Sequence, residues 1–187
     1  MPLILKLVLF LSLLIANTNL SYAKRDFYVL REVTCTKELC YLKKTNLPLT
    51  GELRQYDNNG KLYISTEYKD GKKHGDQKYY YPDGNISSLE HFLDGTINGH
   101  ARSFYNNGKI KEEMYFDNGS KEISHRKFFE SGILSEETEY SNNKKNGRHR
   151  TFYENGKLKT DATFDNDIKV VSHCISKKGN RTICNDN

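Results

Sequence analysis

Apolar and polar residues recur along this chain in columns 24 residues apart. Tyr56, Tyr80, Phe104, Phe128 and Phe152 form an aromatic column. Leu62, Ile86, Ile110, Leu134 and Leu158 form an aliphatic one, and Tyr68, Phe92, Phe116, Tyr140 and Phe164 a second aromatic one. Between the first two columns stands a glycine in every unit: Gly60, Gly84, Gly108, Gly132 and Gly156. Register kept over five units defines a repeat protein of stacked supersecondary units. No segment after residue 23 holds a 3.6-residue apolar period over three turns, so the units read as strands.

The glycine column predicts the turn. Pro82-Asp83-Gly84, Asn106-Asn107-Gly108 and their sisters fit a three-residue hairpin loop, a type I turn followed by glycine in the left-handed region. Pro82 suits the first central position, where φ near −65° is required. This register sets Tyr56 against Leu62, Tyr80 against Ile86, Phe104 against Ile110, Phe128 against Leu134 and Phe152 against Leu158. Strict alternation then puts Ile110, Glu112, Met114 and Phe116 on one face, and Leu134, Glu136, Thr138 and Tyr140 likewise. A fifth column, Arg54, Lys78, Arg102, Arg126 and Arg150, is basic throughout. The same register faces Arg102 with Glu112 and Arg126 with Glu136. The column is a candidate cationic binding stripe, or a set of cross-strand ion pairs on a wet face.

The joints between units are rich in Asp, Asn and Gly, so consecutive hairpins should run on as a meander. Ile123 and Asp167 replace glycines there, and the motif fades towards the C-terminus. The expected architecture is all-β: an elongated antiparallel meander of five 24-residue hairpins, residues 51–170. An N-terminal cap hairpin occupies 24–50 and a C-terminal one 171–187. Hydrophobic residues make up only 36% of the chain, which argues against a thick core and for a long curved sheet with one aromatic-rich face. Ten repeat strands span roughly 48 Å.

Residues 1–23 carry a different signal. Lys6, the apolar stretch Leu7–Ala16 and Ser21-Tyr22-Ala23 follow the layout of a secretory signal peptide, with Lys24 as the mature start. The apolar stretch is far shorter than the roughly 20 residues a membrane span needs, so no span is expected in the mature chain. The chain has 29 basic and 24 acidic residues; losing Lys6 leaves 28 against 24, a net charge of +4. That excess is scattered over loops, whereas nucleic-acid binding needs a concentrated basic face.

Export makes disulfides the default for Cys35, Cys40, Cys174 and Cys184. The separations favour two local bridges, Cys35–Cys40 and Cys174–Cys184, the second around a tip at Lys178-Gly179-Asn180. The rival is a metal site using His173 beside Cys174, but the spacings do not match the paired ligands of zinc sites.

The quoted columns resemble the MORN repeat variant of bacterial YwqK-type proteins, Y-x₃-G-x-L-x₅-Y-x₂-G-x₃-G. Lys61-Leu62, Lys109-Ile110 and Lys157-Leu158 reproduce its step after the turn glycine, and Tyr41 with Pro48-Leu49-Thr50-Gly51 looks like its lead-in. The resemblance covers about 41–170. It implies binding or scaffolding rather than catalysis, and the family's antitoxin label implies a toxin partner.

No catalytic or cofactor motif accompanies the repeats. His74, His91, His100, His125, His149 and His173 lack metal-ligand spacing, and no P-loop, Rossmann or nucleophile-elbow motif occurs. The expected function is therefore an exported non-catalytic binding or scaffold module for a protein, glycan or envelope component. The alternative is an inhibitor that neutralises a partner toxin. No enzyme activity, metal or cofactor is expected.

Overall fold

The computed structural model describes residues 27–184. The expected signal peptide, 1–23, lies outside the described residues. The chain begins with β1 (Phe27–Val29), a 3₁₀ turn (Leu30–Glu32), β2 (Val33–Cys35) and β3 (Cys40–Leu42). The repeats supply β4 (Gly51–Tyr56), β5 (Leu62–Lys69), β6 (Lys72–Tyr80), β7 (Ile86–Leu93), β8 (Thr96–Phe104) and β9 (Ile110–Asp117). They continue with β10 (Ser120–Phe128), β11 (Leu134–Ser141), β12 (Lys144–Phe152) and β13 (Leu158–Asp165). β14 (Ile168–Ile175) and β15 (Arg181–Ile183) close the order.

β4 to β15 pair in sequence order as an antiparallel meander, and β1 adds in parallel at the β4 edge to give 13 strands. β2 and β3 form their own two-stranded sheet. The parallel β1 has no counterpart in the sequence pattern. β14 runs unbroken through the expected boundary at 170–171.

The turns take the expected form. At the third, the Tyr105 N–H donates to the Lys109 carbonyl at 2.8 Å and the Gly108 N–H to the Tyr105 carbonyl at 2.9 Å. Gly108 has φ +81°, a region open to glycine because it has no Cβ. All five expected aromatic–aliphatic pairs form. A sixth turn of the same kind follows 23 residues after Gly156, with the Gly179 N–H donating to the Ser176 carbonyl. Its loop is Lys177-Lys178-Gly179, one residue earlier than expected.

Beyond each turn the register departs from strict alternation. Phe104 pairs with Ile110, but Ser103 pairs with Glu112, leaving Lys111 as an extra residue. This bulge turns Ile110 and Glu112 to opposite faces, and Leu134 and Glu136 likewise. Arg102 therefore faces Glu113 rather than Glu112, and Arg126 faces Glu137 rather than Glu136. The bulge also separates the aromatic columns: Tyr80 lies in line with Lys78, while Phe92 lies in line with Glu90 on the other face. The single aromatic-rich face expected from the sequence is replaced by two faces with one aromatic column each.

The joints are two-residue turns with positive φ at both positions, the primed hairpin geometry. Asn142 and Asn143 have φ +51° and +65°, and Asn166 and Asp167 +48° and +70°. Asn and Asp tolerate this region, which explains how the later joints dispense with glycine. Successive joints are laced together: Gly95 donates to the Lys73 carbonyl at 2.8 Å, Gly119 to Ile97 at 2.9 Å and Asp167 to Lys145 at 2.9 Å.

An apolar cluster lies at the N-terminal end, where Val33, Cys40, Leu49 and Leu53 pack with Tyr28, Leu42 and Tyr68. Along the rest of the sheet a single row crosses the strands: Leu53, Thr66, Gln77, Glu90, Ala101, Met114, His125, Thr138, His149 and Ala162. Thr66, Gln77, Ala101, Thr138 and Ala162 in this row are buried. In a single layer, neighbours on the same face shield them.

Candidate functional site

The bulge decides what the basic column does. Across the strands the line reads Arg54, Ser65, Lys78, Leu89, Arg102, Glu113, Arg126, Glu137, Arg150 and Asp161. Arg102 Nε lies 2.7 Å from Glu113, and Arg126 reaches the same carboxylate at 3.9 Å. Arg150 pairs with Glu137. Towards the N-terminus the acids come from the same strand: Glu52 lies 2.8 Å from Arg54, and Asp76 lies 3.9 Å from Lys78. The hydrogen bond that Arg54 donates to Glu52 holds its guanidinium above its ordinary pKa, and Phe27 stacks 4.2 Å beneath it. All five cations thus have an acid, and from Arg102 to Asp161 the line is a ladder of alternating charge.

The opposite face carries the buried row. Thr66 Oγ1 donates to Gln77 Oε1 at 3.2 Å, and Gln77 Nε2 donates to Glu90 at 3.0 Å. Thr138 Oγ1 and His149 Nδ1 lie 2.9 Å apart. His125 Nε2 stands 3.5 Å from Glu112 but makes no hydrogen bond. Burial depresses the pKa of both histidines; Lys127 adds to the effect at His125 and Lys145 at His149, against the opposing pull of Glu112 and Glu136 respectively. Among the described residues no three His, Cys, Asp or Glu side chains gather into a metal site.

Disulfides close both terminal hairpins, Cys35–Cys40 across β2 and β3 and Cys174–Cys184 across β14 and β15.

The turn-bearing edge has a feature that the sequence reading missed. Tyr81 donates from its hydroxyl to the Phe104 carbonyl at 2.6 Å, Tyr105 to Phe128 at 2.7 Å and Tyr153 to Ile175 at 3.1 Å. Each bond joins one unit to the next. Lys61 and Lys109 do the same, bonding the Pro82 and Ser131 carbonyls at 2.8 and 2.7 Å. The signal was present: three residues before the turn glycine, four of five units have Tyr81, Tyr105, Phe129 or Tyr153. Along the stacked turns lie grooves of about 460 and 480 Å³ at the first and second intervals, and one of about 410 Å³ around the fifth turn, from Phe129 to Lys177. Their walls include Tyr80 and Tyr81, Ile86 and Phe104, and Phe152 and Tyr153 in turn.

Stacked units with this turn and this aromatic spacing point to a known repeat. Residues 49–70, 73–94, 97–118 and 145–166 match the MORN repeat variant. Four of the units thus match the MORN repeat variant. The MORN match passes over the unit that has Ile123 in place of the joint glycine. No curated protein matches the sequence. Solved structures with some likeness include an S. aureus TarM mutant in complex with fondaparinux, α-GlcNAc-glycerol and UDP. It has 11% identity and a TM-score of 0.37 over 63% of this chain and 21% of that one. A second TarM structure has 13% identity and a TM-score of 0.35, over 61% of this chain and 22% of that one. The chain thus spans about a fifth of TarM, and likeness at this level bears on neither function nor partner.

Proposed function

We propose that this chain is an exported, non-catalytic binding or scaffold module whose turn-bearing edge meets a protein, glycan or envelope partner. The observation that carries this reading is the recurrence of grooves along the stacked turns, held in place by tyrosine hydroxyls that reach from unit to unit. MORN repeats are generally binding or scaffold modules, in keeping with it. Two disulfides and the layout of residues 1–23 support export.

The test is photo-crosslinking in the chain's own host. A benzophenone amino acid replaces Tyr63, exposed beside the first turn, or Lys144, exposed at a joint. The expected result is a discrete adduct in the envelope fraction from position 63 and none from 144. Adducts from neither position, or equally from both, would refute a turn-side binding edge. A toxin encoded beside this chain and captured at position 63 would replace the scaffold reading with the inhibitor one.

A further inference from the structure

The groove around Tyr153, lined by Phe129 of the fourth turn and Lys177 of the sixth, differs from its sisters in charge. Two residues before the turn glycine stand Asn58, Pro82, Asn106, Glu130 and Glu154 in the five repeats, but Lys177 in the sixth turn. Lys159 enters the same groove from β13. The Nζ of each lysine lies 5.8 Å from the centroid of the Tyr153 ring. Tyr153 is fixed by its bond to Ile175. Among the described residues neither lysine has an ion-pair partner, although every cation of the basic column has one. Glu154 also lines the groove but pairs with neither.

Two ammonium groups beside one ring repel each other, and an anion that reaches both offsets that repulsion. Besides Glu154, the remaining walls are the aromatic Phe129 and Phe152 and the amide Asn155. A volume of about 410 Å³ holds a ring-sized unit. An acidic peptide in extended form would instead seek a strand edge. We propose that this groove binds an acidic saccharide, with its carboxylate between Lys159 and Lys177 and the C–H face of the sugar on Phe152. The inference rests on the turn-side binding reading above and names one ligand class for it.

The test uses the mature oxidised chain and three probes: trigalacturonate, the neutral sugar cellotriose and triglutamate. Binding is followed by calorimetry and by NMR shifts of Lys159, Lys177 and Tyr153. Trigalacturonate is expected to saturate at millimolar concentration or below, with cellotriose and triglutamate each at least tenfold weaker. Lys159→Gln with Lys177→Gln should weaken trigalacturonate at least tenfold without moving the melting temperature. Lys37→Gln with Lys69→Gln, an equal charge loss at exposed sites elsewhere, should leave it unchanged. The proposal is overturned by no saturation with trigalacturonate, by equal binding of triglutamate, or by equal loss in both double variants. Crosslinking from position 63 is independent of these lysines, so its success alongside failure here would remove the saccharide and keep the binding edge.

Discussion

Replacing Gly108 by alanine separates backbone strain from packing. Gly108 has φ +81°, and a Cβ added there meets no atom within 4 Å. The cost is then the left-handed conformation alone, roughly 1–2 kcal/mol for a residue with Cβ. The narrower unfolded ensemble of alanine offsets part of it, about 0.4–1 kcal/mol. A net loss of about 1 kcal/mol lowers the melting temperature of a chain this long by roughly 2–4 °C. Gly119 supplies the contrast. Its φ is +76°, but Thr96 Cγ2 stands 2.6 Å from where the Cβ would sit. Gly119→Ala must pay the same strain and also displace a β-branched side chain, so it should cost more than Gly108→Ala. Gly108→Asn should cost less than either, because asparagine tolerates positive φ. Urea titrations of the oxidised chain, compared at equal m-value, measure all three. Gly108→Ala with wild-type stability, or Gly119→Ala cheaper than Gly108→Ala, would refute the turn geometry and the pairings derived from it.

Stability should fall on mild acidification. Burial lowers the folded pKa of His125 and His149, so the unfolded chain takes up protons first, near pH 6.5. Their contribution is full above that value and lost as pH drops through it towards the folded pKa; urea midpoints at pH 7.5 and 5.5 should differ less in a His125→Gln, His149→Gln variant. A double-mutant cycle should find Arg102 coupled to Glu113 by up to about 1 kcal/mol, given that Arg102 is one-third exposed, and not coupled to Glu112. Coupling to Glu112 instead would restore the unbulged register. Tyr105→Phe removes the hydroxyl bonded to Phe128 while keeping the ring, for a loss of roughly 0.5–1.5 kcal/mol in thermal or urea unfolding. No loss would mean that the rungs between turns add nothing to the stacking.

The repeat, the turn and the paired columns were legible because each depends on residues adjacent in sequence. Glycine at 108 and proline at 82 announce their own dihedral angles. The bulge was not legible: Lys111 looks like any polar strand residue, and only the hydrogen-bonded partner shows that it is extra. One missed residue moved the acid opposite Arg102 and divided the aromatic columns between two faces. The buried row was hidden for a related reason. Thr66, Gln77 and Thr138 are polar, and their burial comes from neighbours on adjacent strands rather than from local alternation. The basic column was visible, but its neutralisation by Glu113 and Glu137 followed only from the shifted register. The short parallel strand Phe27–Val29 pairs with residues some 25 positions away, outside the repeat period.

The two disulfides occupy the two ends of the array, and nowhere in between. In a linear stack every internal unit is held from both sides, whereas a terminal one is held from one, so unravelling begins at an extremity. The bridges act like the whipping on a rope: they add little to the middle and keep the tips from coming apart. Where conditions keep both bridges oxidised, the tips should resist proteases longer than in the reduced chain. Amide exchange that quickens on reduction first in β3 and β15, and only later in β8 and β9, is the signature of that division.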